Sequence, residues 1–135
     1  MSALKFKNYI VKEINYQKNL KFNKANKQIT LKPSFYESDE IQDGFILVDL
    51  KVSVGSLENT KLPFEAVVAL QGKFEYVPDD DKDDFGLTTF IKQNAVAILY
   101  PYVRTIISNL TMASNEYPGF LLPTINVSEE LKKQK

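Results

Sequence analysis

An apolar helix without a polar face constrains this chain more than any other feature. Residues 95–110, AVAILYPYVRTIISNL, carry a single charge, on Arg104. A helix on the surface of one small core shows a polar stripe opposite its apolar stripe, at a period of 3.6 residues. Because this helix lacks that stripe, it must be covered on both sides. The 135-residue chain has no second long hydrophobic helix, so the sequence predicts that another copy of the protein supplies the cover.

The same run raises the question of a membrane span, which takes about 18 or more apolar residues. Pro101, Arg104 and Asn109 interrupt it, and residues 79–84 upstream include five acidic side chains. Neither end carries the basic cluster that orients spans, and the first residues lack the apolar core of a signal peptide. We therefore expect a cytoplasmic protein without membrane insertion.

Composition argues against several classes of function. The chain has no His and no Cys, which removes Ser-His-Asp and Cys-His catalysis and the usual structural zinc sites. Lys+Arg 17 balance Asp+Glu 17, so nucleic acid is not an expected partner. The acidic stretch that starts at Asp79 is similar to a calcium loop, but its sixth position, which needs glycine, is Asp84. We expect no enzyme activity, no metal and no cofactor.

The first two thirds of the chain alternate with a period of two, which is typical of strands. The first predicted strand places on one face Leu4, Phe6, Ile10, Ile14 and Tyr16. A second strand contains Pro33, which cannot donate to a ladder, so it is predicted to be an edge strand or to end near that residue. Residues 45–54 and 62–77 form the third and fourth strands, with a bulge or bend at Gly72. Short turns between them imply an antiparallel meander.

The remaining segments are predicted to be helical. Asn94 is expected to cap the apolar helix, and Pro101 either kinks it or lies in its first turn. Arg104 needs a carboxylate or a helix-end carbonyl as a partner if it is buried. A helical turn is predicted over residues 87–92, and residues 128–135 form one or two helical turns or a frayed end. The fold class is α+β: a single domain, residues 1–135, in which a four-stranded antiparallel sheet carries a long helix on one face.

Four segments carry motifs in a fixed order. Residues 14–26 read INYQKNLKFNKAN, residues 64–74 contain Gln71-Gly72, residues 98–104 read ILYPYVR and residues 117–127 read YPGFLLPTINV. Together they resemble the SecB family of protein-export chaperones and SecB-like chaperones. The family motifs read I-Y-x-K-D-L-S-F-E-A-P-N, F-x-x-x-V-x-Q-x-G-x-F, I-L-F-P-Y-A-R and F-P-x-L-x-L-x-P-V-N-F. The helix and the Pro-rich segment are the specific matches.

The resemblance implies a homotetramer, built as a dimer of dimers with helices packed between sheets. Residues expected at the oligomer interface are Ile98, Leu99, Tyr102, Val103, Ile106 and Leu110. It also implies an ATP-independent holdase, which binds unfolded polypeptides along hydrophobic grooves during protein export and transport and passes them to the SecA motor. We therefore expect unfolded clients as the main partners.

The resemblance places the groove entrance at Phe22, Ile29, Leu31, Phe35 and Tyr36, although Ile29 and Leu31 also fit ordinary core positions. Phe35 and Tyr36 are adjacent, so on a strand they face opposite ways and at least one is exposed or in an interface. A segment broken by Pro and Gly cannot place all of its apolar residues in one small core. The residues that line a groove or pack between subunits instead are Phe120, Leu121, Leu122 and Ile125.

Two departures from the family pattern bear on function. Family members dock SecA through acidic residues, but the corresponding positions here are Asn19, Asn23 and Val67, so SecA docking is expected to be weak. The family's last helix often ends in an acidic tail, whereas residues 131–135 read LKKQK. The loss of acids favours one alternative, a dedicated chaperone that guards one client, such as the antitoxin of a toxin–antitoxin pair. A small-ligand-binding α+β domain is a further alternative.

Overall fold

The computed structural model describes residues 4–23, 25, 29–77, 91–123 and 126–133. Four strands form one antiparallel sheet: β1 Leu4–Lys18, β2 Pro33–Gln42, β3 Phe45–Gly55 and β4 Phe64–Tyr76. One π-helical turn, Ile91–Ala95, leads into helix α1, Val96–Ala113, and a short helix α2 spans Val127–Lys133. The predicted α+β fold class, with a four-stranded antiparallel sheet and a long helix, is confirmed.

Helix α1 covers one face of the sheet, which we call the inner face; the opposite face is the outer face. Alternate side chains of the central strands β3 and β4 point inward and form most of the core: Ile46, Val48, Leu50, Val52, Val54, Phe64, Ala66, Val68, Leu70 and Phe74. Gly72 continues this row, and a Cβ atom there would lie 2.8 Å from a methyl group of Leu99. Gly72 therefore allows the helix to approach β4. Of the predicted bulge or bend at this residue, the bulge was wrong, because Gly72 pairs in register with Tyr9 and with Val48.

The strand order, β1-β4-β3-β2, corrects the predicted meander. Strands β2, β3 and β4 do follow one another as hairpins, and Asp43 and Gly44 with φ of 54° and 81° form the two-residue turn between β2 and β3. Strand β1, however, pairs with β4, and residues 19–32 connect β1 to the opposite edge, as in a Greek key. The prediction of an edge position for the strand that contains Pro33 is confirmed.

Two β-bulges in β1 change which of its side chains face the helix. The register against β4 slips after Phe6 and again after Val11, so that Lys7 and Lys12 are extra residues in β1. Each slip reverses the alternation of side chains between the two faces. Ile10 consequently lies on the outer face opposite Gln71, and the prediction that it shares the face of Leu4 and Tyr16 was wrong.

Helix α1 begins without the predicted Asn94 cap. The residue before it, Ala95, is already helical with φ −63° and ψ −46°, and no side-chain hydrogen bond caps the end. The cap prediction was wrong because the π-helical turn extends the helical backbone upstream. Pro101 lies inside the helix. Of the two alternatives predicted near the C-terminus, helical turns or a frayed end, α2 is the first. Within the described ranges, no helix has the length and apolar character that a bilayer span requires.

Candidate functional site

An apolar groove with a volume of about 230 Å³ opens at the inner face. Three segments that are distant in the sequence line it: Ile29 and Leu31, Pro63 and Phe64, and residues 117–121, YPGFL. We call this surface the groove. Leu121 is 64% exposed and Ile29 39% exposed, so apolar side chains stand at its solvent-facing rim. The groove therefore presents apolar side chains to solvent.

Aromatic rings pack at the base of the groove. The Phe64 ring lies 5.3 Å from the Tyr16 ring and 5.8 Å from the Tyr117 ring, centroid to centroid. Beside them Lys18 Nζ lies 3.1 Å from Glu116 Oε2. Burial raises the pKa of the Tyr117 phenol, and Glu116 acts in the same direction. The phenol therefore stays protonated at neutral pH and keeps its capacity to donate a hydrogen bond.

Helix α1 holds one wall of the groove, the Pro-rich segment of residues 117–123. Three hydrogen bonds make the contact: Phe120 N–H donates to Thr111 Oγ1 at 2.6 Å, Arg104 Nε donates to the Leu122 carbonyl at 2.8 Å, and the Tyr100 hydroxyl donates to the Pro123 carbonyl at 2.6 Å. Burial raises the pKa of Tyr100, while the charge of Arg104 opposes the rise. The predicted partner of Arg104, a carboxylate or a helix-end carbonyl, was wrong: Arg104 donates to a main-chain carbonyl of the Pro-rich segment instead.

Asn19 anchors the segment that leaves β1 to the loop before β4. Its side-chain Nδ2 lies 3.2, 3.0 and 2.9 Å from the carbonyl oxygens of Ser56, Asn59 and Leu62. Its Oδ1 accepts the Lys21 N–H at 3.0 Å, and the residue is only 3% exposed. Three carbonyl acceptors require a donor, which a carboxylate is not. Asn19 is therefore a buried structural residue, and its position does not contribute to an exposed docking surface.

The structure brings only part of the predicted client-binding set together. Four of its residues line the groove: Ile29, Leu31, Phe120 and Leu121. The others lie elsewhere: Phe35 and Leu122 are buried in the core, Tyr36 is exposed on the outer face, and Phe22 is half-buried in the connection after β1. Ile125 lies outside the described residues.

Phe35 and Leu122 correct the client-binding assignment. Phe35 is 2% exposed because it faces inward opposite Val52, where its ring lies 6.0 Å from that of Tyr100. Leu122 is fully buried because the extended segment alternates and turns Leu121 outward instead. The prediction that at least one of Phe35 and Tyr36 is exposed is confirmed, since Tyr36 is 53% exposed.

Sequence reasoning missed several groove residues, namely Pro63, Phe64, Tyr117, Pro118 and Gly119. Pro118-Gly119 was predicted to break this segment and matched the family motif, but it was not predicted to line a groove. A Cβ atom at Gly119 would lie 2.9 Å from Ser108 Oγ, so glycine allows the wall to run close to α1. The available signal was the alternation of aromatic residues with Pro and Gly in this segment, which suits a chain passing close over a helix.

The predicted interface residues of α1 divide between two sides of the helix. Leu99 and Val103 are fully buried against the chain's own sheet, which corrects their assignment to an interface. Tyr102 is 39% exposed, and three further residues are half-buried: Ile98, Ile106 and Leu110. The exposed side of α1 carries no charge, because its residues are Ala97, Pro101, Tyr102, Thr105, Asn109, Met112 and Ala113.

The inner face of β1 carries a second uncovered apolar surface. Val11 lies opposite Leu70 and Ile14 opposite Val68, so both point to the side of the sheet that α1 covers. They remain 47% and 48% exposed, because α1 lies over the central strands. We call Val11, Ile14 and the exposed side of α1 the apolar strip.

Acidic clusters do not form a metal site in the described part of the chain, where no group of three or more His, Cys, Asp and Glu residues is placed to hold an ion. The acidic run of residues 79–84, which was weighed as a calcium loop, lies outside the described residues.

The sheet order, the long helix over one face and the Pro-rich segment define a SecB-like α+β fold. This architecture is shared with a SecB-like chaperone of Mycobacterium tuberculosis, solved in complex with a ChAD peptide from an antitoxin, at a TM-score of 0.72 and 16% identity over 91% of each chain. The chain belongs to the SecB family, whose model, described as preprotein translocase subunit SecB, matches residues 6–135. It is also 34% identical to an uncharacterized protein of Methanocaldococcus jannaschii, over 98% of this chain and 88% of that protein.

Proposed function

We propose that this protein is an ATP-independent chaperone that binds unfolded polypeptides in the groove. The observation that carries the proposal is the meeting of Ile29 and Leu31 with Phe120 and Leu121 around one open apolar surface. These pairs are far apart in the sequence, so only the fold unites them. The hydrophobic effect is non-directional, and such a surface accepts many client sequences.

The size and lining of the groove favour a client side chain over a small molecule. Its volume of about 230 Å³ lies below the roughly 300–1,000 Å³ of small-molecule sites. Its lining is apolar apart from the Tyr117 phenol and main-chain groups, whereas a ligand site needs several polar groups that fix orientation. An apolar or aromatic client residue suits it better than a polar metabolite does.

A dedicated chaperone for one client, such as an antitoxin, is the second candidate. It is favoured by the M. tuberculosis SecB-like chaperone of the same fold, which was solved with an antitoxin peptide. The two candidates differ in breadth. A general holdase keeps several unrelated unfolded proteins from aggregating, and a dedicated chaperone protects one of them.

We propose further that a second copy of the chain covers the apolar strip, in a dimer or a dimer of dimers. An exposed helix side without charge and two exposed aliphatic residues on β1 leave apolar surface in water. Covering this surface with the same surface of another copy satisfies both chains in a symmetric arrangement.

Removing the groove rim is expected to weaken client binding. Replacing Ile29 and Leu121 together by serine removes two exposed apolar side chains, each of which contributes about 1.5–3 kcal/mol when fully buried by a partner. We expect at least about a tenfold loss of affinity for unfolded protein. The measurement is the protein concentration that suppresses light scattering by the reduced insulin B chain.

The matched control is Ile41→Ser, which removes a side chain that is 68% exposed at the hairpin between β2 and β3, away from the groove. It should suppress scattering as well as the parent does. Equal activity of the Ile29→Ser/Leu121→Ser variant and this control would place client binding elsewhere. Repeating the assay with unrelated unfolded proteins separates a general holdase from a dedicated chaperone.

Docking on the zinc-bearing tail of SecA is expected to be weak or absent. Asn19 is buried, Val67 is 8% exposed, and Asn23 is a neutral amide whose Oδ1 accepts the Ala25 N–H at 3.0 Å. A positively charged peptide gains little from such a surface, since charge complementarity drives both its association rate and its affinity. Calorimetry with a zinc-loaded tail peptide at low salt tests this.

A gain-of-function variant sharpens the comparison. Asn23→Asp with Val67→Glu restores acids at the two family positions that do not carry the buried amide of Asn19. Binding by this variant, lost at higher salt, would show that only the charges are missing. Clear micromolar binding by the parent would contradict the prediction and favour a place in protein export.

A further inference from the structure

We propose that Tyr100, Arg104 and Thr111 are positioning residues, which hold the Pro-rich wall at the distance from Phe64 that admits a client side chain. The inference rests on the proposed function of the groove. Spacings of four and eleven residues place the three side chains on one side of α1, because a helix turns once in about 3.6 residues. Each contacts the wall through a hydrogen bond between 2.6 and 2.8 Å long.

The wall needs such contacts because it has no regular secondary structure. Residues 118–123 belong to no strand or helix, so their main-chain groups must find partners elsewhere. The helix supplies them in antiparallel order, from Thr111 at Phe120 to Tyr100 at Pro123. Gly119 adds close packing against Ser108, whose Oγ would lie 2.9 Å from a Cβ atom at that position. The wall is thereby held along most of its length.

The same contacts set the rotation of the wall. Leu121 is 64% exposed at the rim, whereas the next residue, Leu122, is fully buried. Arg104 holds the carbonyl of Leu122 at 2.8 Å, which fixes the direction of the peptide that follows it. A wall free to rotate would exchange the groove-facing and core-facing side chains, so the hydrogen bonds decide which side chains a client meets.

Thr111 offers the cleanest test. It is fully buried, and its hydroxyl accepts from Phe120 N–H while lying 3.1 and 3.0 Å from the carbonyl oxygens of Ile107 and Ser108. Valine keeps its shape but leaves the Phe120 N–H without this acceptor, and serine keeps the hydroxyl. Thr105 is the matched control, because its hydroxyl donates only within the helix, to the Pro101 carbonyl at 3.1 Å.

The absence of cysteine permits a direct measurement of groove width. Spin labels on cysteines introduced at Ile29 and Leu121 of the full chain report the distance between the two walls. We expect a narrow distance distribution in the parent, in Thr111→Ser and in Thr105→Val, and a broadened or shifted one in Thr111→Val. Tyr100→Phe, which loses only the hydroxyl contact to Pro123, should broaden the distance distribution as well. This variant replaces Thr111→Val in the experiment if Thr111→Val does not fold. A distribution as narrow as that of the parent in both variants would overturn the inference.

Client affinity gives the second readout, measured on unlabelled protein with a fluorescent Gly/Ser peptide that carries one tryptophan and with its alanine counterpart. We expect Thr111→Val to bind the tryptophan peptide about tenfold more weakly than Thr111→Ser or Thr105→Val does. Loss of wall order without loss of affinity would overturn the link to client binding. A further outcome is that the parent binds the tryptophan and alanine peptides equally while the distance distribution of Thr111→Val is still broadened. That outcome would support the positioning role and contradict the proposed function of the groove.

Discussion

Lysine in place of both Val11 and Ile14 is expected to convert the proposed oligomer into monomers. Both side chains are about half exposed on the inner face of β1, at 47% and 48%, so each lysine reaches water in a single chain at little cost. In the proposed assembly the same side chains are covered by a second copy. Burying two unpaired ammonium groups there costs several kcal/mol or prevents association.

Light scattering at micromolar concentration provides the measurement, against a chain mass of 15.4 kDa. The matched control is Ile10→Lys, on the same strand and 54% exposed, but turned to the outer face by the bulges. It should keep the mass of the parent. Monomers in the parent, or an unchanged mass in the Val11→Lys/Ile14→Lys variant, would contradict the proposed interface.

Asn19→Asp is expected to cost roughly 2–4 kcal/mol of folding free energy at neutral pH. The change is nearly isosteric, but it removes the amide that donates to the carbonyl oxygens around Asn19 and places a negative charge among them. Part of the loss should return as the pH falls, because a protonated carboxyl group regains one donor. Urea unfolding at neutral and acidic pH measures both effects.

Asn23→Asp is the control, since Asn23 is exposed and its Oδ1 acts only as an acceptor, for the Ala25 N–H. An aspartate keeps that acceptor, so this variant should unfold at nearly the parent's urea concentration. Equal stability of the two variants would show that the carbonyl cluster does not depend on the Asn19 amide.

The sequence predicted the architecture because the strongest patterns coincide with the most buried elements. The alternation of residues 45–54 became β3, and the apolar run became α1. Both patterns arise because these segments pack against one core, and the spacing of apolar residues in the sequence reflects that packing directly. The motif at residues 98–104 supplied the family, which the match over residues 6–135 confirms.

The predictions that failed depended on pairing, which local patterns do not record. The bulges in β1 add Lys7 and Lys12 without interrupting the strand. The sequence therefore still alternates with a period of two, but the side chains between the two bulges point to the opposite face from the one that this alternation predicts. The predicted cap at Asn94 failed because a π-helical turn precedes α1. The sequence distinguishes Asn19 only as a position where the family pattern has an acid, and not as a buried structural residue, since its hydrogen bonds reach a loop some forty residues later.

Only part of the groove lining could be predicted from the sequence, for the same reason. Phe120 and Leu121 were singled out because a segment broken by Pro and Gly cannot bury every apolar residue, and both line the groove. Pro63 and Phe64 were missed, since they join the groove only when the start of β4 lies beside residues 29–31 and 117–121. A surface formed by three separate segments can be identified only when the arrangement of those segments in the fold is known.

The contacts between α1 and the Pro-rich wall end on main-chain atoms: an N–H group and two carbonyl oxygens. A main-chain atom is present whatever residue occupies its position, so the geometry of the wall does not depend on the side chains that the wall displays. If the groove binds clients as proposed, substitution at Phe120 or Leu121 is expected to alter which clients are preferred while the contacts that hold the wall stay unchanged. Client preference and the position of the wall would then be set by different atoms of the same segment, side chains for the first and main-chain groups for the second.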